Sequence, residues 1–246
     1  MTPEYKYVWL LWSSAFLVPW ALLFAMTHGF RPRMLRVSLA TSLLGLTEPI
    51  FVPEYWNPPS LFDLAQRTGF DLESLIFCFA IGGLGAFGYH ALAGRSLVPM
   101  PRDERLGSRH RFHRFALAAP FAAFAPLYLL PWNPIYAGIA ALVIGGIANA
   151  LCRPDLLRNT LIGGALFAGL YAIFMALLIV SAPGYVEQVW NLAALSGWSV
   201  GGVPLEELAF GFGFGMYWAG TYEHFAWHRV RPVVHRQDGL KERSAS

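Results

Sequence analysis

The residues best suited to chemistry are two adjacent acids, Glu206 and Glu207, that follow Pro204 at the start of an apolar segment. Proline is tolerated in the first turn of a helix, and carboxylates there face the positive end of the helix dipole. The plainest interpretation of the pair is therefore an N-terminal helix cap. The apolar run 208–218 places them at the edge of a membrane, where acids are costly and tend to be functional.

Acids in such surroundings are suited to proton transfer. Apolar surroundings and a neighbouring acid both favour the neutral form of a carboxylic acid, so the pair can hold a proton at neutral pH. A second carboxylate, either the neighbour or Glu73 in the first half of the chain, can then take a proton back as a general base. The sequence thus predicts a general acid and a general base at the edge of an apolar region.

Another acid and several tryptophans accompany the pair. Glu48 precedes Pro49 near the end of an apolar segment; it either faces the same site or, as we favour, reaches water at the membrane surface. Trp56, Trp190 and Trp198 lie in neighbouring loops. An interfacial aromatic belt is their simpler explanation, although aromatic faces also stabilise a carbocation.

Two parts of the chain carry the same residue types in the same order. Trp56-Asn57 and Trp190-Asn191 are 134 residues apart, and Glu73 and Glu206 are 133 apart. Ordered matches of this kind indicate a duplicated unit. We predict a first three-helix repeat over 1–92, a basic loop and connecting helix over 93–133, a second three-helix repeat over 134–228, and a disordered cytoplasmic tail over 229–246.

Composition predicts an all-α integral membrane protein. Of 246 residues, 56% are hydrophobic and 13% charged, with a mean hydropathy of +0.45, which is too apolar for a soluble domain. A span needs about 20 helical residues. Seven transmembrane helices are predicted, at Val8 to Met26, Met34 to Val52, Leu72 to Leu92, Phe115 to Leu130, Ile135 to Leu151, Leu156 to Val180 and Pro204 to Trp227.

Loop charge gives the orientation and bears on partners. Arginines concentrate after the first, third and fifth segments and in the tail, which predicts an outside amino terminus and a cytoplasmic carboxyl terminus. Each repeat supplies three helices and the fourth helix connects them, so the two repeats run parallel about an axis along the membrane normal, with a substrate between them. These arginines meet anionic lipid, so nucleic acid is not an expected partner.

No disulfide and no metal site is predicted. Cys78 and Cys152 do not have the spacing of either kind of site. His224 and His228, four residues apart, suit a helix terminus better than a metal site.

The segment Val203–Phe210, together with Trp190-Asn191 and Trp198, resembles the lycopene cyclase domain of carotenoid biosynthesis. In that family, three-helix units carrying a Pro-x-Glu-Glu or Pro-x-Glu-Asp signature occur as two small subunits or fused in one chain. The second unit of this chain carries the whole signature. The first matches only at Glu73, since Asp71 and Ser74 replace the proline and the second acid.

The resemblance implies a cofactor-independent isomerase of the cell membrane that closes the ψ ends of lycopene to β-ionone rings. It implies Glu206, Glu207 and Glu73 as catalytic residues, with Pro204 as part of the motif. From the residues themselves we add Glu48, Trp56, Trp190 and Trp198 as supporting or substrate-binding candidates. Its partners would be a lipid-soluble carotenoid and membrane lipid, with other enzymes of the pathway or a second copy of the chain as further candidates. Alternatives that stay open are a carotenoid ψ-end hydratase, a C50 carotenoid cyclase, and a non-catalytic pigment-binding or assembly protein.

Overall fold

The long apolar segments fold into helices, which make up 77% of the structure. The computed structural model describes residues 5–232. Its helices and strands are α1 (Val8–Ala15), α2 (Leu17–Met26), α3 (Arg31–Ser42), α4 (Glu48–Phe51), α5 (Leu64–Thr68), α6 (Leu72–Leu92), β1 (Arg95–Pro99), α7 (Arg102–Arg105), α8 (His113–Tyr128), α9 (Pro134–Cys152), α10 (Leu157–Ser181), α11 (Tyr185–Val189), β2 (Ser199–Val200), β3 (Val203–Pro204), α12 (Leu205–Ala226) and β4 (His228–Pro232).

Helices lie at all seven predicted places, but only some suit a membrane by length and composition. Within residues 5–232, four segments are long and apolar enough to cross one: Val8–Met26, Leu72–Leu92, Pro134–Cys152 and Pro154–Ser181. The other three predicted segments do not meet this criterion of length and composition. The 3₁₀ helix Leu43–Thr47 interrupts the second segment, α8 is only 16 residues long, and α12 carries three glutamates. The fold is thus compatible with a membrane protein.

Helix α12 lies at the centre of the bundle, where it packs against α10, α9 and α6. Glycines allow the close approach. A Cβ added to Gly215 of α12 would lie 2.6 Å from the carbonyl oxygen of Gly163 in α10. A Cβ added to Gly85 of α6 would lie 2.9 Å from the ring of Phe214 in α12. Gly85 belongs to a glycine-rich run that resembles a nucleotide-binding motif in sequence, and here it serves helix packing.

One end of the bundle, which we call the carboxylate end, carries loops 53–71 and 183–203 and the starts of α6 and α12. The two loops meet through a reciprocal contact. The backbone N–H of Asn57 donates to the Val189 carbonyl at 2.8 Å, and the backbone N–H of Asn191 donates to the Tyr55 carbonyl at 2.9 Å. The rings of Trp56 and Trp190 lie between them, with centroids 5.3 Å apart. Equivalent positions of the two halves thus pair with each other.

The opposite end, which we call the histidine end, carries residues 93–113, 152–155 and 227–232. Strands β1 and β4 pair there as an antiparallel ribbon, with Leu97 opposite Val230. Residues 229–232, predicted to begin a disordered tail, are therefore strand, because the basic loop after α6 supplies a pairing partner. The rest of the predicted tail, 233–246, lies outside the described residues.

Candidate functional site

An apolar cavity of about 320 Å³ opens within the bundle toward the carboxylate end. Its walls come from α1, α3, α4, α6, α8, α9, α10 and α12, from the 3₁₀ helix Leu43–Thr47 and from the loops that contain the Trp-Asn pairs. Most of the lining is aromatic or aliphatic, including Trp9, Phe51, Trp56, Phe77, Phe121, Phe124, Phe174, Phe210, Phe214, Tyr217 and Trp218. Two carboxylates, Glu48 and Glu207, stand in this apolar wall. They come from different halves of the chain.

Glu207 is buried, with 3% of its surface exposed, and it accepts hydrogen bonds from three other segments. Its Oε1 atom accepts from the Tyr55 hydroxyl and, at 2.6 Å, from Trp190 Nε1. Its Oε2 atom accepts from the Tyr171 hydroxyl at 2.7 Å. Burial raises the pKa of Tyr55 well above its usual value, so this phenol keeps its proton and donates. Three donors on one buried carboxylate are an arrangement that stabilises its anion.

Helix capping does not account for this arrangement. The residue before α12 is Pro204, which is buried and makes no side-chain cap hydrogen bond. In the first half, by contrast, Asp71 caps α6 by accepting from the Ser74 amide. The donors to Glu207 all lie outside α12. The sequence interpretation of the acid pair as a plain cap is therefore wrong for Glu207.

Glu48 is the second carboxylate of the cavity and is only 7% exposed. Its Oε2 atom accepts from the Ser74 hydroxyl at 3.0 Å, and its Oε1 atom has no hydrogen-bond partner in the part of the chain that the structure describes. It is a wall residue of the cavity, so our preferred interpretation of it as an interfacial carboxylate that reaches water is wrong. The physical reason is that loop 53–71 folds back over α4, with Gly69 against Pro49.

Glu206 and Glu73 do not line the cavity, and both fasten loops instead. Glu206 Oε1 accepts from the Ser196 amide at 2.8 Å and from the Tyr136 hydroxyl at 2.7 Å. Glu73 Oε1 accepts from the Leu61 amide at 2.7 Å. Each carboxylate thus binds the backbone of the loop that precedes its own helix. Adjacent residues of a helix do not face each other, which is why Glu206 points away from the cavity that Glu207 lines.

The three tryptophans also differ in whether they line the cavity. Trp56 and Trp190 line the cavity, and Trp190 is one of the donors to Glu207. Trp198 is 74% exposed in the loop between α11 and α12 and lies away from the cavity. Two of the three therefore stand where an aromatic face could meet a bound molecule.

Tyr55 and Tyr171 are the site residues that the sequence analysis missed. Tyr171 lies in the middle of the apolar helix α10, and Tyr55 lies beside the first Trp-Asn pair. A buried tyrosine hydroxyl usually finds a partner. The sequence therefore contained one indication of these contacts: two tyrosines and an acid lie in apolar stretches, where their polar groups need partners. What the sequence could not supply is that α10 and loop 53–71 approach the same carboxylate.

The second half of this site lies within a recognisable family segment. Residues 133–225 match the model of the lycopene cyclase family, and the match includes Tyr171, Trp190, Glu206 and Glu207. No curated protein and no solved structure matches the chain. Glu48 and Tyr55 lie outside the matched segment. The match supports a lycopene cyclase domain over residues 133–225 and, with it, a carotenoid cyclase-like function.

Proposed function

We propose that this protein is a membrane carotenoid cyclase that closes the ψ ends of lycopene to β-ionone rings. One observation carries the proposal beyond the family match: two buried carboxylates, Glu48 and Glu207, stand in the wall of one aromatic cavity. Membrane-embedded and buried acids are costly and tend to be functional. An apolar cavity with a few polar groups is also the usual form of a small-molecule site.

The reaction needs only proton transfer. A general acid adds a proton to the terminal double bond of the ψ end, which leaves a tertiary carbocation. The neighbouring double bond attacks that cation and forms the new carbon–carbon bond of the ring. A general base then removes a proton from the ring, which restores a double bond. One proton is added and one is lost, so substrate and product are isomers and no electron acceptor is required.

The hydrogen bonds divide these roles between the two acids. Glu48 has one donor, Ser74, and one oxygen without a partner in an apolar wall. Such surroundings favour the neutral form, so Glu48 is the proposed acid. Glu207 has three donors, which favour its anion. It is the proposed base, and its negative charge also stabilises the carbocation. Each turnover ends with a proton returned from Glu207 to Glu48.

The aromatic wall and the helices complete the proposal. The faces of Trp56, Phe77 and Phe210 line the cavity and suit a transient cation. Helices at all seven predicted places support a seven-span protein of the cell membrane, from which a lipid-soluble carotenoid would enter. The reciprocal bonds at Asn57 and Asn191 support two related three-helix units that face each other. We extend this proposal to an outside amino terminus and a cytoplasmic carboxyl terminus, on loop charge.

The test is pigment analysis in bacterial cells that accumulate lycopene and express the chain. The unaltered protein should yield γ-carotene or β-carotene. Glu48→Gln and Glu207→Gln keep the size of the side chain but remove its acid–base function. Each should lower product formation at least about 100-fold, which is the lower end of what a general acid or base contributes. Glu206→Gln is the matched control, because it is next in sequence and buried but faces a loop.

The outcomes separate the possibilities. Unchanged lycopene, with correctly sized protein present in the membrane, would refute the cyclase proposal. Hydroxylated pigments would replace it with hydration, which starts from the same protonation. Full activity of Glu48→Gln together with an inactive Glu206→Gln would refute the division of roles and return the acid function to the adjacent pair.

A further inference from the structure

The histidine end of the bundle brings together two histidines and a cysteine that lie far apart in the sequence. Cys152 Sγ lies 3.7 Å from His110 Nδ1 and 3.9 Å from His113 Nδ1. One potential ligand atom from each residue lies within 4.8 Å of the other two. These three residues play no part in the proposed reaction, because the cavity carboxylates lie near the other ends of the helices.

Local structure explains why the three side chains converge. His110 belongs to the 3₁₀ helix Ser108–Phe112, and His113 begins α8 immediately after it. Residues three apart in a 3₁₀ helix lie on the same face, so both rings point the same way. Cys152 is the last residue of α9, which packs along α8. The sequence analysis missed the site because the cysteine follows the histidines by about 40 residues.

The distances suit a tetrahedral ion. Bonds of about 2.3 Å to sulfur and 2.0–2.1 Å to nitrogen place the sulfur and nitrogen ligands of a tetrahedral Zn²⁺ about 3.5 Å apart. The two sulfur–nitrogen distances here are 3.7 and 3.9 Å. Small side-chain shifts would therefore bring the three atoms to bonding distance. A thiolate with two imidazoles is also a ligand set that prefers zinc to magnesium or calcium.

The surroundings favour a defined site. Cys152 and His113 are buried, while His110 is partly exposed and leaves a way in from that side. Trp227 stacks on His113 with ring centroids 3.7 Å apart, which fixes the orientation of the imidazole. The neighbouring guanidinium of Arg153 would repel a cation. It is paired in a bidentate manner with Asp155, at 2.8 and 2.7 Å, which offsets its charge.

Another buried histidine stands beside this cluster, on the central helix α12. His224 of α12 is fully buried, and within residues 5–232 neither of its ring nitrogens has a hydrogen-bond partner. Its ring centroid lies 4.1 Å from that of His113. Buried polar groups normally have partners, so an imidazole with two free nitrogens beside this cluster points to a ligand. His224 lies in the last turn of α12, as the sequence predicts, and it is buried there.

We propose that His110, His113 and Cys152 bind one Zn²⁺ ion, with His224 or water at the fourth position. Binding displaces the proton of the Cys152 thiol, so the thiolate supplies one negative charge. The ion joins the 3₁₀ helix Ser108–Phe112 and the start of α8 to the end of α9. With His224 as a ligand it also joins α12, so it is a structural site that fixes three helices at this end. The proposal does not depend on the cyclase activity.

Metal analysis of the full-length, tag-free protein in detergent tests the site. After incubation with ZnCl₂ and desalting, elemental analysis should give about one zinc per chain. Cys152→Ser and His110→Asn should each retain less than a tenth of that amount. Replacement of zinc by Co²⁺ should give a thiolate-to-cobalt charge-transfer absorption that is absent from Cys152→Ser. Cys78→Ser and His28→Asn are the matched controls and should keep their zinc, because neither residue belongs to the cluster.

The competing explanation is a cluster held by thiol–imidazole hydrogen bonds without metal. Folded wild-type protein that retains less than a tenth of an equivalent of zinc would establish that explanation and overturn the proposal. Zinc that persists in both Cys152→Ser and His110→Asn would also overturn it. Helix content and gel filtration check that each variant is folded, and the partly exposed His110 is the position best able to tolerate substitution.

Discussion

Removal of the Tyr171 hydroxyl tests whether Glu207 acts as an anion in the cavity. Tyr171→Phe keeps the ring and deletes the donor to Glu207 Oε2, which has no other partner. Tyr55→Phe deletes a donor to Oε1 in the same way, but Oε1 keeps the Trp190 Nε1 donor at 2.6 Å. The two substitutions remove the same chemical group from the same carboxylate. They differ in whether the carboxylate oxygen is left without a partner.

The expected magnitudes follow from that difference. A hydrogen bond to a charged group contributes about 1.5–3 kcal/mol, which corresponds to a roughly 10- to 150-fold change in rate. Tyr171→Phe should therefore lower the rate of ring formation about 10- to 150-fold. Tyr55→Phe leaves Oε1 satisfied, so its loss should be that of an ordinary hydrogen bond. That loss is about 0.5–1.5 kcal/mol, or roughly 2- to 12-fold.

The assay is the initial rate of cyclised carotenoid formation in isolated membranes supplied with lycopene, per amount of folded protein. Thermal unfolding of both variants in detergent separates a loss of activity from a loss of stability. A Tyr171→Phe rate within twofold of the wild type would refute the idea that donors on Glu207 matter for the reaction. A larger loss for Tyr55→Phe than for Tyr171→Phe would refute the assignment of the unsatisfied oxygen.

Two further predictions concern stability and the loops. Gly215→Ala should destabilise the protein by about 1–3 kcal/mol, because the new methyl group would lie 2.6 Å from the Gly163 carbonyl oxygen. Gly169→Ala is the control and should not lower the melting temperature, because its methyl group would meet no described atom within 4 Å. Glu206→Ala removes the acceptor of the Ser196 amide, so cleavage of loop 183–203 by added protease should become at least about fivefold faster, from a local loss of roughly 1–3 kcal/mol. Unchanged cleavage would mean that other contacts hold the loop.

The sequence predicts the helices well because apolar length is a local property. The prediction for Leu72 to Leu92 agrees with α6 at both ends, where Asp71 supplies a cap and the apolar run stops. The predictions around α9, α10 and α12 are each within one residue of the structure at either end. Strand β4 was missed because pairing with β1 joins residues 129 to 137 positions apart. No local pattern encodes such a partner.

The direction in which each acidic side chain points is harder to predict than the place of the residue along its helix. The similar spacing of the two halves draws attention to Glu73 and Glu206, but it does not indicate what either carboxylate does. Both accept from a loop amide, so their shared role is to fasten a loop. Which of two adjacent acids faces a cavity depends on the rotation of α12 against α10, and close packing at glycines sets that rotation.

The cavity acids, by contrast, are not at matched positions, and this asymmetry suits the proposed chemistry. Ser74 stands where Glu207 stands in the second half, and its hydroxyl donates to Glu48. The first half therefore presents its carboxylate from α4, with one donor, and the second half presents its own from α12, with three. Carboxylates in identical surroundings would have the same intrinsic proton affinity, so their surroundings would not decide which one is the acid and which the base. The different surroundings of Glu48 and Glu207 thus separate the proposed acid from the proposed base, while Glu73 and Glu206 both contact a loop amide.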